Sequence, residues 1–190
     1  MALFDEDALV AGDWRLLGRG HAEQLVPMIA ALPDKGRADR IAVDIGPGSF
    51  TGIRVGLAAA KAFGLAWKVP VAGCTSTALV AAGVFADHPR LDRLCVAFDA
   101  SRGEVYAQAF DRDGAVGAIE ALAPDIAAAG ARGTAVTGSG AALLAAIDPT
   151  LAIIDHPWPR AADVRRLPAA ARGAAARPLY IRPPDAKVPA

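Results

Sequence analysis

The chain has 190 residues and a mass of 19.4 kDa, and its 20 Lys and Arg balance 20 Asp and Glu, which excludes a polybasic nucleic-acid tail and an acidic solvating chain. A hydrophobic fraction of 54% against 21% charged residues predicts a packed core, in one domain or two small lobes. No uninterrupted apolar run reaches the roughly 18 residues that span a bilayer, because the candidate around Val55–Trp67 carries Lys61 and follows Arg54.

The opening Met-Ala-Leu-Phe-Asp-Glu-Asp is acidic where a secretory signal is basic, so a cytoplasmic protein with no membrane partner is expected. Ala2–Phe4 and Leu9–Leu17 are β-prone and flank the acidic turn Asp5-Glu6-Asp7, which predicts a hairpin. Over residues 21–32, Leu25, Met28, Ile29 and Leu32 recur at helical spacing and Pro33 closes the pattern. Pro27 inside it predicts a late start or a kink. Arg40–Ile45 is a compact strand, Phe50–Trp67 a long helix, residues 69–74 a buried strand, and Thr75–Phe85 a helix with Ser and Thr available to cap it. This order describes an α/β fold with a mixed sheet.

The apolar pattern lapses at Asp87-His88-Pro89-Arg90, which places a lobe boundary between residues 1–90 and 91–190. The second lobe opens with a hairpin, Leu94–Phe98 and Val105–Phe110 about the turn Asp99–Glu104. A loop containing Gly114 and Gly117 follows, then a helix Pro124–Ala129, a strand Thr134–Thr137, the turn Gly138-Ser-Gly140 and a helix Ala141–Ile147. The chain continues through Leu151–Ile154 and an Ala/Arg-rich helix over 161–176 to Pro178–Arg182, a last segment expected to pack back on the first lobe. Cys74 and Cys95 lie in apolar segments without CxxC spacing, so a reducing compartment fits and neither a disulfide framework nor a zinc site is suggested.

The strongest local motif is Asp44-Ile-Gly-Pro-Gly-Ser-Phe-Thr-Gly-Ile-Arg54, a glycine turn between a strand and a helix N-terminus. Such a turn presents backbone N–H groups beside the positive end of the helix dipole and suits an anion. It is neither a Walker loop nor GxGxxG, so two readings stand: Gly46, Pro47, Gly48, Ser49 and Thr51 contact an anion or nucleotide, or Ser49 or Thr51 caps the helix. Gly52, Gly56, Ala60 and Gly64 then recur every fourth residue. Each glycine costs about 1 kcal/mol relative to alanine in a helix, and close packing compensates, on the protein's own sheet or on a partner helix. Asp99, Arg102 and Glu104 put three charges into one turn, as a local ion pair or a ligand contact, and Gly138-Ser-Gly140 repeats the strand–turn–helix geometry. His21, His88 and His156 are far apart, fit no HExxH or other paired-ligand spacing and read as surface or capping residues; no catalytic group can be named.

The run Gly46-Pro-Gly-Ser-Phe-Thr-Gly-Ile-Arg-Val-Gly56 resembles the signature of the TsaB (YeaZ) family, partner subunits in bacterial synthesis of the tRNA modification threonylcarbamoyladenosine. His21-Ala-Glu-Gln-Leu-Val-Pro-Met-Ile resembles that family's first helix, Asp99-Ala-Ser-Arg-Gly-Glu-Val-Tyr its second-lobe hairpin, and Pro178-Leu-Tyr-Ile-Arg its C-terminal segment. The resemblance spans most of the chain. It implies a two-lobed fold of the actin, Hsp70 and sugar-kinase (ASKHA) type with mixed sheets, lacking the first strand.

It further implies a non-catalytic scaffold that binds and activates its sibling TsaD for threonylcarbamoyl transfer to the tRNA adenosine next to the anticodon. The ATPase TsaE would be the third component, and tRNA would be contacted through the assembly; a homodimer is a further possibility. The interface would comprise Leu25, Met28, Ile29 and Leu32 with Phe50, Gly52, Arg54, Val55, Gly56, Ala60 and Gly64. Asp99, Arg102, Gly103, Glu104 and Tyr106 form the second-lobe motif. TsaD-like proteins carry a metal-binding HxxxH where this chain has Ser76 and Val80, which implies a pseudoenzyme with no metal or cofactor of its own, ATP and metal belonging to partner subunits.

The chain opens at what corresponds to the family's second strand, near Ala2-Leu-Phe. Loss of a central strand leaves ladder groups unpaired, and implies a start assigned too late or folding that requires a partner. From Arg160 onward seven Lys and Arg accompany two Asp, a basic stretch that reads as a solvated face or a tRNA contact. The alternative function is a nucleotide-dependent transferase or a metallopeptidase-like hydrolase acting on its own.

Overall fold

A computed structural model of the chain describes residues 1–17 and 20–182. The opening hairpin is present: β1 (Ala2–Asp5) and β2 (Ala8–Gly12) pair antiparallel and turn through Glu6 at φ +51°. α1 (His21–Ala30) keeps Pro27 inside it and starts at His21, so the proline does not delay the helix. β3 (Ile41–Asp44) and β4 (Val71–Cys74) run parallel, with Ile41 opposite Val71 and Asp44 opposite Cys74. The crossover between them is α2 (Phe50–Trp67), capped at one end by the Ser49 hydroxyl, which accepts from the Gly52 N–H, and stopped at the other by Lys68 in the left-handed conformation.

α3 (Ser76–Asp87) follows, with the Thr75 hydroxyl accepting from the Ala78 N–H as its N-cap. Side chains alternate across a strand, so Ile41, Val43 and Val71 face α2 while Ala42, Asp44, Ala72 and Cys74 face α3. Gly64 lets α2 approach β4 closely: a Cβ there would stand 2.4 Å from Val71 Cγ2.

The second lobe is one five-stranded sheet in the order β7-β6-β5-β8-β9, built from β5 (Arg93–Asp99), β6 (Val105–Asp111), β7 (Gly114–Leu122), β8 (Ala135–Thr137) and β9 (Ala152–Ile153). Leu94, Val96 and Phe98 on one face of β5 meet Val80, Ala81 and Val84 of α3. Cys95 and Ala97 on the other face meet α4 (Pro124–Gly130) and α5 (Ala141–Ile147) through Ala127, Ala128, Ala141 and Leu144.

Two expectations are corrected. The loop assigned to Gly114 and Gly117 is β7, in which these glycines adopt φ +140° and +95° and interrupt the period-2 alternation that marks a strand. The single helix assigned to 161–176 is two short 3₁₀ turns, Ala161–Arg166 and Ala169–Arg172, followed by β10 (Ala174–Ala175). Pro168 separates the turns, since the residue before proline is driven out of the helical region. β10 pairs antiparallel with β4, so the C-terminal segment adds a strand to the first lobe in the order β10-β4-β3.

Gly138 shows where the second lobe tolerates least change. Its φ is +99°, and a Cβ would lie 2.2 Å from the Ala97 carbonyl oxygen. Gly138→Ala is expected to lower stability by about 3 kcal/mol, read from urea unfolding. Asp148 accepts from the Thr150 hydroxyl at 2.5 Å and from Arg132 at 2.8 Å, and these bonds hold its carboxyl at about 2, below its ordinary 3.8. Because the folded value is the depressed one, this stabilisation is present above pH 3.8 and lost as pH falls toward 2. Asp148→Asn should flatten the acid limb of the stability curve over that window, measured by denaturant unfolding at stepped pH.

Candidate functional site

The glycine turn lies at the end of β3, inside a cleft of about 2540 Å³ that reaches between the two lobes. Asp44 organises it. Its carboxylate accepts from the Gly46 N–H at 2.8 Å and from the Ser76 hydroxyl at 2.7 and 2.8 Å, tying the turn to the start of α3. Burial pushes the Asp44 carboxyl up, and those two donors pull it back. Gly46 is at φ +106°, its peptide bond to Pro47 is cis, and its carbonyl accepts from the Ser76 N–H at 3.0 Å. At the mouth of α2 the Gly52 N–H goes to the Ser49 hydroxyl at 3.3 Å and the Ile53 N–H to the Ser49 carbonyl at 2.9 Å. Ser49 is therefore the cap, and it takes donors that an anion would use.

The α2 residues divide by face. Ala60 and Gly64 are buried against the chain's own sheet, and Gly56 points at Val43, 4.0 Å from where its Cβ would be. From Gly56 on the ridge thus turns inward, which corrects the expectation that Ala60 and Gly64 meet a partner. Leu25, Ile29 and Leu32 of the predicted α1 face line the cleft, and Ile29 and Leu32 also pack around Gly36. Gly52, Val55 and Met28 are half-buried.

The outward stripe of α2 is Phe50, Arg54, Ala58, Ala62 and Leu65, with Phe50 58% and Leu65 83% exposed. Arg54 stacks 3.7 Å over the Phe50 ring and donates to the Tyr180 hydroxyl at 2.9 and 3.1 Å. Tyr180 is a site residue that sequence reasoning carried only as part of the Pro178–Arg182 motif.

Arg182 closes the second-lobe motif. It donates to Glu104 at 2.9 Å, to the Tyr106 hydroxyl at 3.1 Å and to the Ala100 carbonyl at 2.7 Å. A charge partner of Glu104 thus comes from 78 residues away, beyond the local turn that the sequence suggests. Arg102 and Gly103 lie with Ser101 in a left-handed run at φ +58°, +76° and +61°, and Asp99 accepts from the Ser101 N–H at 2.8 Å. The Gly138-Ser139-Gly140 turn is spent on packing: Ser139 accepts from the Asp99 N–H, and the Gly140 N–H bonds to Ala97.

His88 caps the end of α3 and His21 opens α1, but His156 is neither a surface nor a capping residue. Its side chain is 11% exposed and stands 3.8 Å from Asp163, itself 5% exposed, in space left by Gly83. Burial pushes His156 down and Asp163 up, so desolvation works against charging either partner. Both cysteines are buried, and burial raises the Cys74 thiol to about 12 and the Cys95 thiol to about 11. Among the described residues no group of three His, Cys, Asp or Glu is arranged to hold a metal, and no helix is long and apolar enough to cross a membrane. Ser76 and Val80 stand as a hydroxyl bonded to Asp44 and a fully buried isopropyl group.

Three arginines of the basic stretch are engaged within the chain. Arg165 pairs with Asp7, Arg166 with Asp163 and Asp87, and Arg172 bonds to the Leu167 and Arg165 carbonyls. Lys187, the last cation of that stretch, lies outside the described residues.

Residues 15–130 match the family model described as TsaD: tRNA N6-adenosine threonylcarbamoyltransferase. An uncharacterised protein of Mycobacterium tuberculosis is 36% identical over 177 residues, covering 89% of this chain and 78% of that protein. The tRNA threonylcarbamoyladenosine biosynthesis protein TsaB is 31% identical over 112 residues in Escherichia coli, covering 56% of this chain and 48% of the relative. The Bacillus subtilis TsaB is 30% identical over 131 residues, covering 66% and 55%. Among solved structures, YeaZ from Pseudomonas aeruginosa superposes with a TM-score of 0.73 at 26% identity over 87% of this chain and 86% of that one. A second crystal structure, of a protein with similarity to peptidase YeaZ from Pseudomonas aeruginosa, gives 0.76 at 27% identity over 88% and 87%. With the glycine-turn signature, the mixed-sheet α/β fold and these relatives in agreement, the chain belongs to the TsaB/YeaZ family.

Proposed function

We propose that this chain is a non-catalytic subunit of tRNA threonylcarbamoyladenosine synthesis, which binds a TsaD-type catalytic subunit through the outward face of α2 and activates it for threonylcarbamoyl transfer. The observation that carries this reading is the stripe Phe50, Arg54, Ala58, Ala62 and Leu65, two large apolar side chains and a stacked guanidinium left in solvent on the helix that the family signature opens. Exposed aromatic, arginine and leucine side chains on one rigid helix face are the composition of an interface centre. Relatives named TsaB support the pathway.

The same geometry argues against independent chemistry. Both thiols are buried, and burial holds them at about 12 and about 11, which speaks against a cysteine nucleophile. A metallopeptidase or metal-dependent transferase reading needs ligands where Ser76 and Val80 stand. Asp44 accepts from two donors of its own chain and thereby ties the glycine turn to α3. ATP and metal then belong to partner subunits, a TsaE-type ATPase among them, and tRNA is met by the assembly, consistent with Arg165 and Arg166 being spent on acidic neighbours of their own chain.

Size-exclusion chromatography with light scattering, on this chain mixed with TsaD from the same organism, is expected to give a heterodimer. Leu65→Asp should weaken it at least tenfold with an unchanged circular dichroism spectrum, because Leu65 makes little contact within the monomer. A heterodimer of undiminished affinity would remove α2 from the interface, and a homodimer in every mixture would overturn the partner role. Isothermal titration of the isolated chain with ATP is expected to show no saturable binding; micromolar affinity would reinstate the transferase reading.

A further inference from the structure

α2 carries two cations, Arg54 and Lys61, and no acidic residue along its 18 positions. Both are exposed and stand two helical turns apart, so with Ala58 and Leu65 they share the outward stripe. Elsewhere in the chain Arg112, Arg132, Arg165, Arg166 and Arg182 each pair with an Asp or Glu of the protein itself. No carboxylate among the described residues pairs with Arg54 or Lys61. The outward face of α2 is therefore apolar and positively charged, without a counter-charge of its own.

Arg54 is nonetheless held in one place. Its guanidinium lies 3.7 Å from the centroid of the Phe50 ring, and Nε and Nη2 donate to the Tyr180 hydroxyl at 3.1 and 2.9 Å. A guanidinium has five donors in a fixed fork, and a neutral hydroxyl that takes the Nε–Nη2 side leaves the charge uncompensated. The Nη1–Nη2 edge has no bond among the described residues, and that edge meets a carboxylate with two parallel hydrogen bonds. Tyr180 is itself anchored on both sides. The preceding Leu179 N–H donates to the Ile45 carbonyl at 2.9 Å, and Arg182 bonds to Glu104, Tyr106 and Ala100 at the β5–β6 turn.

We propose that Arg54 takes an Asp or Glu carboxylate of the TsaD-type subunit through its Nη1–Nη2 edge, and that Tyr180 is the positioning residue that aims it. This inference rests on the reading that α2 meets such a subunit, and adds the charge of the facing surface. Holding the guanidinium before the partner arrives lowers the cost of ordering a long side chain at the interface. Lys61 adds attraction at longer range and no fixed geometry. Two cations on 18 residues fall short of the roughly 6–10 phosphate contacts of a nucleic-acid surface, which favours a protein over tRNA on this face. Ala58 and Ala62 between the large side chains leave room for a closely packed helix. Through Tyr180 and Arg182 the second lobe takes part in setting an interface side chain of the first.

The test measures the dissociation constant of the heterodimer for the full chain and for Arg54→Gln, Arg54→Lys, Tyr180→Phe and the double variant Arg54→Gln with Tyr180→Phe, with circular dichroism as the control for folding. Raising NaCl from about 0.05 to about 0.5 M should weaken the unaltered complex about tenfold. Arg54→Gln is expected to weaken it about tenfold at low salt and to flatten the salt dependence. Arg54→Lys keeps the charge without the fork and should recover only part of that loss. Tyr180→Phe keeps the ring and removes the acceptor, and should cost about threefold with Arg54 in place and nothing further beside Arg54→Gln. A heterodimer indifferent to salt and to Arg54→Gln overturns the carboxylate contact and leaves the α2 reading standing. Full recovery by lysine overturns the two-bond geometry, and an equal loss from Tyr180→Phe in both backgrounds overturns its positioning role. If Arg54→Gln abolishes tRNA binding by the complex while the heterodimer keeps its affinity, Arg54 serves phosphates and the occupant proposed is wrong. No heterodimer with any version overturns the underlying reading, and this inference with it.

Discussion

α3 is buried on two sides at once, and the relation between the lobes rests on that packing. Val80, Ala81 and Val84 lie against Leu94, Val96 and Phe98 of β5, while Leu79 and Ala82 lie against Cys74 and Leu167. A helix with apolar residues around its circumference is satisfied only in the interior. Its polar groups follow the same demand: the Thr77 hydroxyl, fully buried, donates to Gln108 on β6 at 2.7 Å. Where α3 begins, Ser76 holds Asp44, so the helix that joins the sheets also fixes the glycine turn.

That arrangement gives the turn a structural task before any ligand is considered. Ser49 closes the start of α2, Asp44 closes the turn onto α3, and Gly138 and Gly140 permit backbone contact with Ala97 across the second lobe. Several backbone donors of the two glycine turns go to the chain's own groups, Gly46 to Asp44, Gly52 to Ser49 and Gly140 to Ala97. The outer stripe of α2, by contrast, stays open to solvent.

Much of the local structure was legible because its signals are local. Ser49 before the apolar run and Lys68 after it bracket α2, and its predicted range coincides with the observed one. The alternating Leu94-Cys-Val-Ala-Phe segment marked a two-faced strand, and both faces are buried. β7 was hidden by glycines that break the alternation, and the 161–176 segment by alanine, whose helix propensity does not register the break at Pro168. The ridge of small residues on α2 was visible as a period, yet a period does not say which neighbour it faces, and Val71 and Val43 supply that answer. Contacts such as Arg182 with Glu104 join motifs that the sequence shows only as separate words.

Residues 174–182 cross the whole molecule. β10 adds to β4, the Leu179 N–H bonds to the Ile45 carbonyl beside the glycine turn, Tyr180 receives Arg54, and Arg182 reaches the β5–β6 turn. Every element this strap touches is synthesised before it. The strap then acts as a clasp, and the glycine turn reaches its final support only when this last segment has left the exit tunnel.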